Sequence, residues 1–190
     1  MKSIEKAKQK IRAVIAKSKV PEDPHHAENT LDWLLRLAPD ADDALQIAAL
    51  AHDIERAIET QKIQRSDFND YDAFKAAHAA NSADILKKIL SECRVADEII
   101  EEACRLVTVH EVGGDARSDL LNDADCISYF DVNMPLYYQR EGWEGTKRRS
   151  IWGYRRGSKR IKEKIKQLTY EDEKLTQLLR EAIQQSDATG

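Results

Sequence analysis

Cysteine is scarce in this chain, three in 190 residues. Cys93, Cys104 and Cys126 match neither the close pairs of a zinc ribbon nor a redox couple. A disulfide scaffold is unneeded as well, because a chain of this length buries roughly 70% of the surface its unfolded form exposes. Long apolar runs are also missing. The longest, Ala44 to Ala51, already contains Gln46 and is far short of the ~20 residues of a membrane-spanning helix. The N-terminal string MKSIEKAKQKIRAVIAKSK keeps returning to lysine and arginine, so the apolar stretch of a secretory signal never develops. These absences predict a cytoplasmic protein with reduced, mostly buried thiols and no membrane partner. No internal repeat, low-complexity tract or shift of composition divides residues 1–190, which read as a single domain.

Charge is nearly balanced overall and unevenly spread. The formal net charge is −4, yet residues 146–166 carry ten lysines or arginines against the single acid Glu163, a local +9 that leaves −13 for the remainder. An acidic body of that size disfavours general nucleic-acid binding. The basic segment suits either a solvated helix face or a phosphate-bearing ligand.

Apolar residues recur at helical spacing almost everywhere, beginning with Ile4, Ala7, Ile11, Val14 and Ile15, and no strand pattern of useful length is present. The fold class is therefore all-α. Pro21 and Pro24 end the first helix, and Asp23 ahead of Pro24 reads as the cap of a second helix from His25 to Leu37. Asp40 reads as the cap of a third, the most apolar, running through LQIAALAHDIERAI to Glu59. Further helices are expected over 71–90 and 95–110, the latter stopped by Gly113 and Gly114. Another should run from Ser118 to Pro135. A C-terminal helical extension over 146–185 follows, with helices at 146–157 and 170–185 and the residues from Ser186 onward frayed.

His26, His52, His78 and His110 each fall on a different predicted helix, and His25 adjoins the first of them. Helical bundles build metal sites in this way, from side chains that project out of facing helices into one core cavity. Asp53 directly follows His52 inside AALAHDIERAI, a charged pair interrupting an otherwise buried helix. Burying that pair is costly unless it is paired or coordinates a metal. Asp123 and Asp125 lie among Leu120, Leu121, Ala124, Ile127 and Tyr129.

The ordered set His26, His52-Asp53, His78, His110 and Asp125, carried by HAENTLDWLLRLA, AALAHDIER, HAANSADILKKIL, VTVHE and LNDADCISYF, resembles the motifs of the HD-domain superfamily of metal-dependent phosphohydrolases. The likeness spans residues 22–131, in the order of that family's motifs. It implies an HD-domain-like helical bundle around a buried metal site, with His26, His52, Asp53 and Asp125 as the four ligands of a minimal centre. With His78 and His110 added, it implies two metals bridged by Asp53. His26 suits the first motif better than His25, which is left as a substrate contact. Asp123 and Asp125 are about 200° apart on a helix, so only one faces the site, and Asp125 fits the Ala-Asp signature better.

Mixed imidazole and carboxylate donors without thiolate suit iron, manganese, cobalt, nickel or zinc. A divalent transition metal, one or two per chain, is thus the expected cofactor, and hydrolysis of a small phosphorylated substrate, a nucleotide above all, the expected reaction. Asp53, Glu55 and Arg56 are the expected catalytic residues. Glu55, three residues after His52, would orient the attacking water or protonate the leaving oxygen, unless it forms a surface pair. Arg56 would contact phosphate or else pair with an acid on another helix. The segment FDVNMPLYYQREGWEGTKRRSIWGYRRGSKR places Arg148, Arg149, Arg155 and Arg156 to neutralise phosphates, and Trp143, Trp152 or Tyr154 to stack on a base or pack in the core. Two other functions fit the same ligands: a dinuclear-iron oxygenase of the same fold and a non-catalytic nucleotide-sensing module.

Overall fold

α1 (Lys2–Ile15) buries Ile4, Ala7, Ile11 and Ile15 along one stripe. The structure, a computed structural model, describes residues 2–188, and among these no strand occurs. α2 spans Asp23–Leu37 and starts earlier than the sequence predicts, with Pro24 in its first turn. Asp23 is consequently not a cap. It is buried inside the helix, accepts a hydrogen bond from Ser18 Oγ at 2.6 Å and faces Arg56 Nη2 at 2.9 Å.

α3 covers only Asp43–Ala51. Its cap is Asp42, whose side chain accepts the Leu45 N–H at 3.0 Å, in place of Asp40. Nor does the helix continue to Glu59: the backbone turns out of helical geometry at Asp53 (φ −105°, ψ 15°) and re-forms as a 3₁₀ turn, Ile54–Ala57. Glu55 and Arg56 therefore do not share a helix face with His52. α4 (Tyr71–Glu92) and α5 (Asp97–Val109) follow as an antiparallel pair. The chain then reverses through Gly113 and Gly114 at φ +67° and +119°, a region open to glycine without strain.

α6 (Ala116–Ser128) is the axis of the molecule, and every residue from Leu121 to Phe130 is buried. Pro135 does not end this rod. The helix widens into a π segment over Tyr129–Asn133, and α7 (Met134–Arg156) resumes with Pro135 in its first turn, where its missing N–H breaks no bond. α7 thus starts well before Thr146 and bends at Gly142, whose φ is 68°. α8 (Lys159–Ile165), capped by Ser158, is an element that the apolar spacing does not announce. α9 (Glu173–Asp187) packs along α7 and buries Ser186. Of the expected frayed tail, Ser186 and Asp187 are helical, and Thr189 and Gly190 lie outside the described residues. Among the described residues no helix is long and apolar enough to cross a membrane.

Candidate metal centre

The early end of α3 decides the geometry. His52 occupies the last helical position of the backbone and projects into the core, whereas Asp53, one residue beyond the helix, turns sideways between α2 and α4. α2, α4, α5 and α6 then supply His26, His78, His110 and Asp125 to the same volume. The four imidazoles are all at most 3% exposed. Ring centroids run in sequence, 5.0 Å from His26 to His52, 5.2 Å from His52 to His110 and 6.1 Å from His110 to His78.

Donor atoms group into two clusters. His26, His52 and Asp125 form one, and Asp53, His78, His110 and Glu111 the other, each with its ligand atoms within 4.8 Å of one another. In the first, Nε2 of His26 lies 3.1 Å from Nε2 of His52 and 3.1 Å from Asp125 Oδ1. Asp53 reaches both groups. Its Oδ2 is 3.9 Å from His26 Nε2 and 3.8 Å from His52 Nε2, and its Oδ1 is 2.7 Å from His78 Nε2.

Each ring is held by its other nitrogen. His52 Nδ1–H donates to Ala49 O at 2.9 Å and His110 Nδ1–H to Val107 O at 2.7 Å, since a carbonyl only accepts. His26 Nδ1 meets Ser128 Oγ at 2.9 Å, and His78 Nδ1–H donates to Glu55 Oε1 at 2.7 Å. This is how metal-ligating imidazoles are fixed in tautomer and direction. The consequence is that the Nε2 atoms converge. His110 Nε2 is buried without a hydrogen-bond partner, its nearest carboxylate oxygen being Glu111 Oε1 at 3.2 Å. An imidazole nitrogen without a hydrogen bond beside a carboxylate in a buried site is the arrangement that an interposed cation relieves.

The electrostatics point the same way. Burial opposes charge on His52, but Asp53 and Asp125 outweigh it and push its pKa up to about 9. Burial works against charge on Asp53 and Asp125 too. His52, with Arg56 and His78 at Asp53 and with His26 and Arg156 at Asp125, nevertheless holds both carboxylates well below their usual range. In the metal-free chain a proton fills the role that a cation would take over.

Glu55 is buried rather than in a surface pair, and Arg56 takes the second of its two expected roles, pairing with an acid on another helix. Glu55 is 1% exposed and stands behind His78. One oxygen accepts from that ring, and the other accepts from Ile63 N–H at 2.7 Å and Asn81 Nδ2 at 3.2 Å. Both oxygens are thus hydrogen-bonded inside the protein, and the carboxylate holds the far side of the His78 ring. Arg56 is spanned between Asp53 Oδ2 at 2.8 Å and Asp23 Oδ1 at 2.9 Å, an ion pair in place of a free phosphate contact. His25 is exposed on the outer face of α2. Asp123 turns away from the clusters and accepts Ser158 N–H at 2.8 Å and Ser158 Oγ–H at 2.5 Å. Tyr154 is buried and Trp143 packs against the core, so neither presents a stacking face to the clusters.

Glu111 is the member of the second cluster that the sequence reading missed. Its carboxylate meets Lys75 Nζ, His110 Nε2 and Arg156 Nη1, the last at 3.0 Å, and Arg156 Nη2 also bonds Asp125 Oδ2 at 3.0 Å. The signal was a second acid-after-histidine pair, His110-Glu111, within the string VTVHE.

Together the residues form two adjacent sets of imidazole and carboxylate donors able to hold a metal ion, lined by Lys75, Arg56 and Arg156. No curated protein and no solved structure matches the chain. A family described as Domain of unknown function (DUF4202) matches residues 2–182, and the chain belongs to that family.

Proposed function

We propose that the chain is a metal-dependent phosphohydrolase of the HD type, cleaving a phosphoester or phosphoanhydride of a small phosphorylated metabolite, with a nucleotide as the first class to test. The observation that carries this reading is Asp53, which lies between the two imidazole clusters: its Oδ1 is 2.7 Å from His78 Nε2, and its Oδ2, paired with Arg56 at 2.8 Å, is 3.9 Å from His26 Nε2 and 3.8 Å from His52 Nε2. From that position Asp53 would contribute a carboxylate to both groups if each held a metal. When bound, a pair of divalent cations supplies Lewis acidity toward phosphoryl oxygens and brings the pKa of a coordinated water toward neutrality.

The chain's own residues supply the remainder. His26, His52, His78 and His110 hold their donor nitrogens in fixed directions through hydrogen bonds on the far side of each ring. Arg156 and Lys75 offset the charge of Glu111 and Asp125. Arg156 also keeps a buried Nε–H without a partner, a donor suited to a phosphoryl oxygen. Burial of the four rings and of Asp125 excludes bulk water and strengthens each of these interactions.

Chelator-treated protein assayed anaerobically for release of inorganic phosphate from a panel of nucleotides and sugar phosphates tests the reading. Activity restored by manganese without oxygen, and absent in His52→Ala, is expected. Turnover seen only with ferrous iron and dioxygen would identify an oxygenase, and metal binding without turnover a sensing module.

A further inference from the structure

A second site opens beside the clusters. Tyr71, Tyr137, Glu141, Arg148, Arg149 and Trp152 line a pocket of about 370 Å³ between the start of α4 and α7 on both sides of its bend. Two helix faces connect it to the metal centre. On α4, Tyr71, Lys75 and His78 follow one another at helical spacing, and on α7 so do Arg149, Trp152 and Arg156. Lys75 and Arg156 contact Glu111 at one end, while Tyr71 and Arg149 line the pocket at the other.

The pocket is built around cations. Trp152 has the guanidinium carbons of Arg149 and Arg156 each 4.5 Å from its ring centre, Lys75 Nζ at 5.9 Å and the ring centre of Tyr71, set edge-to-face, at 5.4 Å. Its ring is thus committed to holding arginines and is a poor platform for a base. Arg149 is also stacked 4.5 Å over Tyr129, and its Nη1 is buried without a hydrogen-bond partner. A guanidinium carbon 4.5 Å from each of two aromatic ring centres is held by both, leaving N–H groups of the kind that match a phosphate. Among the described residues neither Arg148 nor Arg149 faces a carboxylate in an ion pair, and the pocket's acid, Glu141, meets Arg140 Nε at 3.2 Å.

We infer that this pocket is a second anion subsite, and that the substrate carries two separated phosphate groups, one reacting at the clusters and the other held by Arg148 and Arg149. Seven helical residues separate Tyr71 from His78, and seven separate Arg149 from Arg156, a span of about 10 Å along each helix. A diphosphate, whose phosphorus atoms share one bridging oxygen, does not cover that distance. Phosphates at opposite ends of a sugar or nucleoside come closer to it. The inference deepens the phosphohydrolase reading and rests on it for the reacting phosphate.

Calorimetric titration with adenosine 3′,5′-bisphosphate and with adenosine 5′-monophosphate tests it on the parent, Asp53→Ala, Arg148→Gln and Arg149→Lys chains. Arg148 is exposed, so its replacement leaves the packing intact should Arg149→Lys fold poorly. The parent should prefer the bisphosphate by roughly 10- to 100-fold, the scale of hydrogen bonds to a charged group. Each arginine variant should lose that preference. Equal affinities in the parent, or a preference that survives both arginine variants, overturns the subsite. A preference that depends on the arginines in a chain binding no metal and hydrolysing nothing supports the subsite and overturns the phosphohydrolase reading alone.

Discussion

Asp53 and Glu55, two acids of one string, HDIE, look alike in sequence and face different ways in the fold. Asp53 points its oxygens at rings from α2, α3 and α4, whereas Glu55 is turned to the back of His78 and closed off by Ile63 and Asn81. Replacing a carboxylate behind a ligating histidine typically costs 10- to 100-fold in metal affinity. Glu55→Gln should therefore weaken metal binding by about that factor while leaving the stoichiometry of the saturated protein unchanged, as measured by competition with a chelating dye. Unaltered affinity would place Glu55 outside the centre. Glu111 shows the limit of reading at this scale. His110-Glu111 offers the same dipeptide signal as His52-Asp53, but only the arrival of Lys75 and Arg156 from other helices marks its carboxylate as part of the site.

Helix α6 carries the sharpest contrast at the scale of elements, because Asp123 and Asp125 sit two residues apart on opposite faces. Asp125 faces His26 and His52, and Asp123 latches α8 through both polar groups of Ser158. Asp125→Ala should abolish binding at the first cluster. Asp123→Ala should retain metal and lower stability by about 1–3 kcal/mol, the cost of leaving buried hydrogen-bond partners unmet, read from denaturant unfolding. The opposite pattern would exchange the two roles.

Much of the element order was legible from apolar spacing. α1, α4 and α5 follow it closely, because each buries one stripe against neighbours. The end of α3 was not, since AALAHDIERAI contains neither glycine nor proline. The break there accompanies contacts distant in sequence, Asp53 and Glu55 to His78. α8 escaped because seven residues bearing only Ile161 and Ile165 as apolar anchors show no stripe. Pro135 misled because the π segment before it lets a helix resume where proline ordinarily stops one. The histidines were legible as a set, since one falls on or beside each of four helices. Their pairing into two clusters was not, because it depends on how the helices cross.

For the molecule as a whole, the centre couples stability to pH in a direction fixed by His52. Its pKa rises from 6.5 to about 9 in the metal-free fold. A folded-state value above the unfolded one stabilises fully below the unfolded pKa and is lost as pH climbs through the folded one. The metal-free chain should accordingly lose thermal stability between about pH 6.5 and 9. The metal-loaded chain should not follow that decline, because coordination takes the place of the proton. A calorimetric midpoint recorded on both forms across this window checks the sign. Parallel declines in the two forms would show that His52 is not a ligand.

The most direct test of the two-cluster centre is the metal content per chain of protein purified without chelator and without oxygen, compared with Asp53→Ala. If Asp53 contributes to both clusters, as proposed, the parent should hold two equivalents of a transition metal such as iron or manganese and the variant should lose both. A parent that takes up no metal, together with a variant indistinguishable from it in midpoint and in response to added divalent ions, would contradict the account.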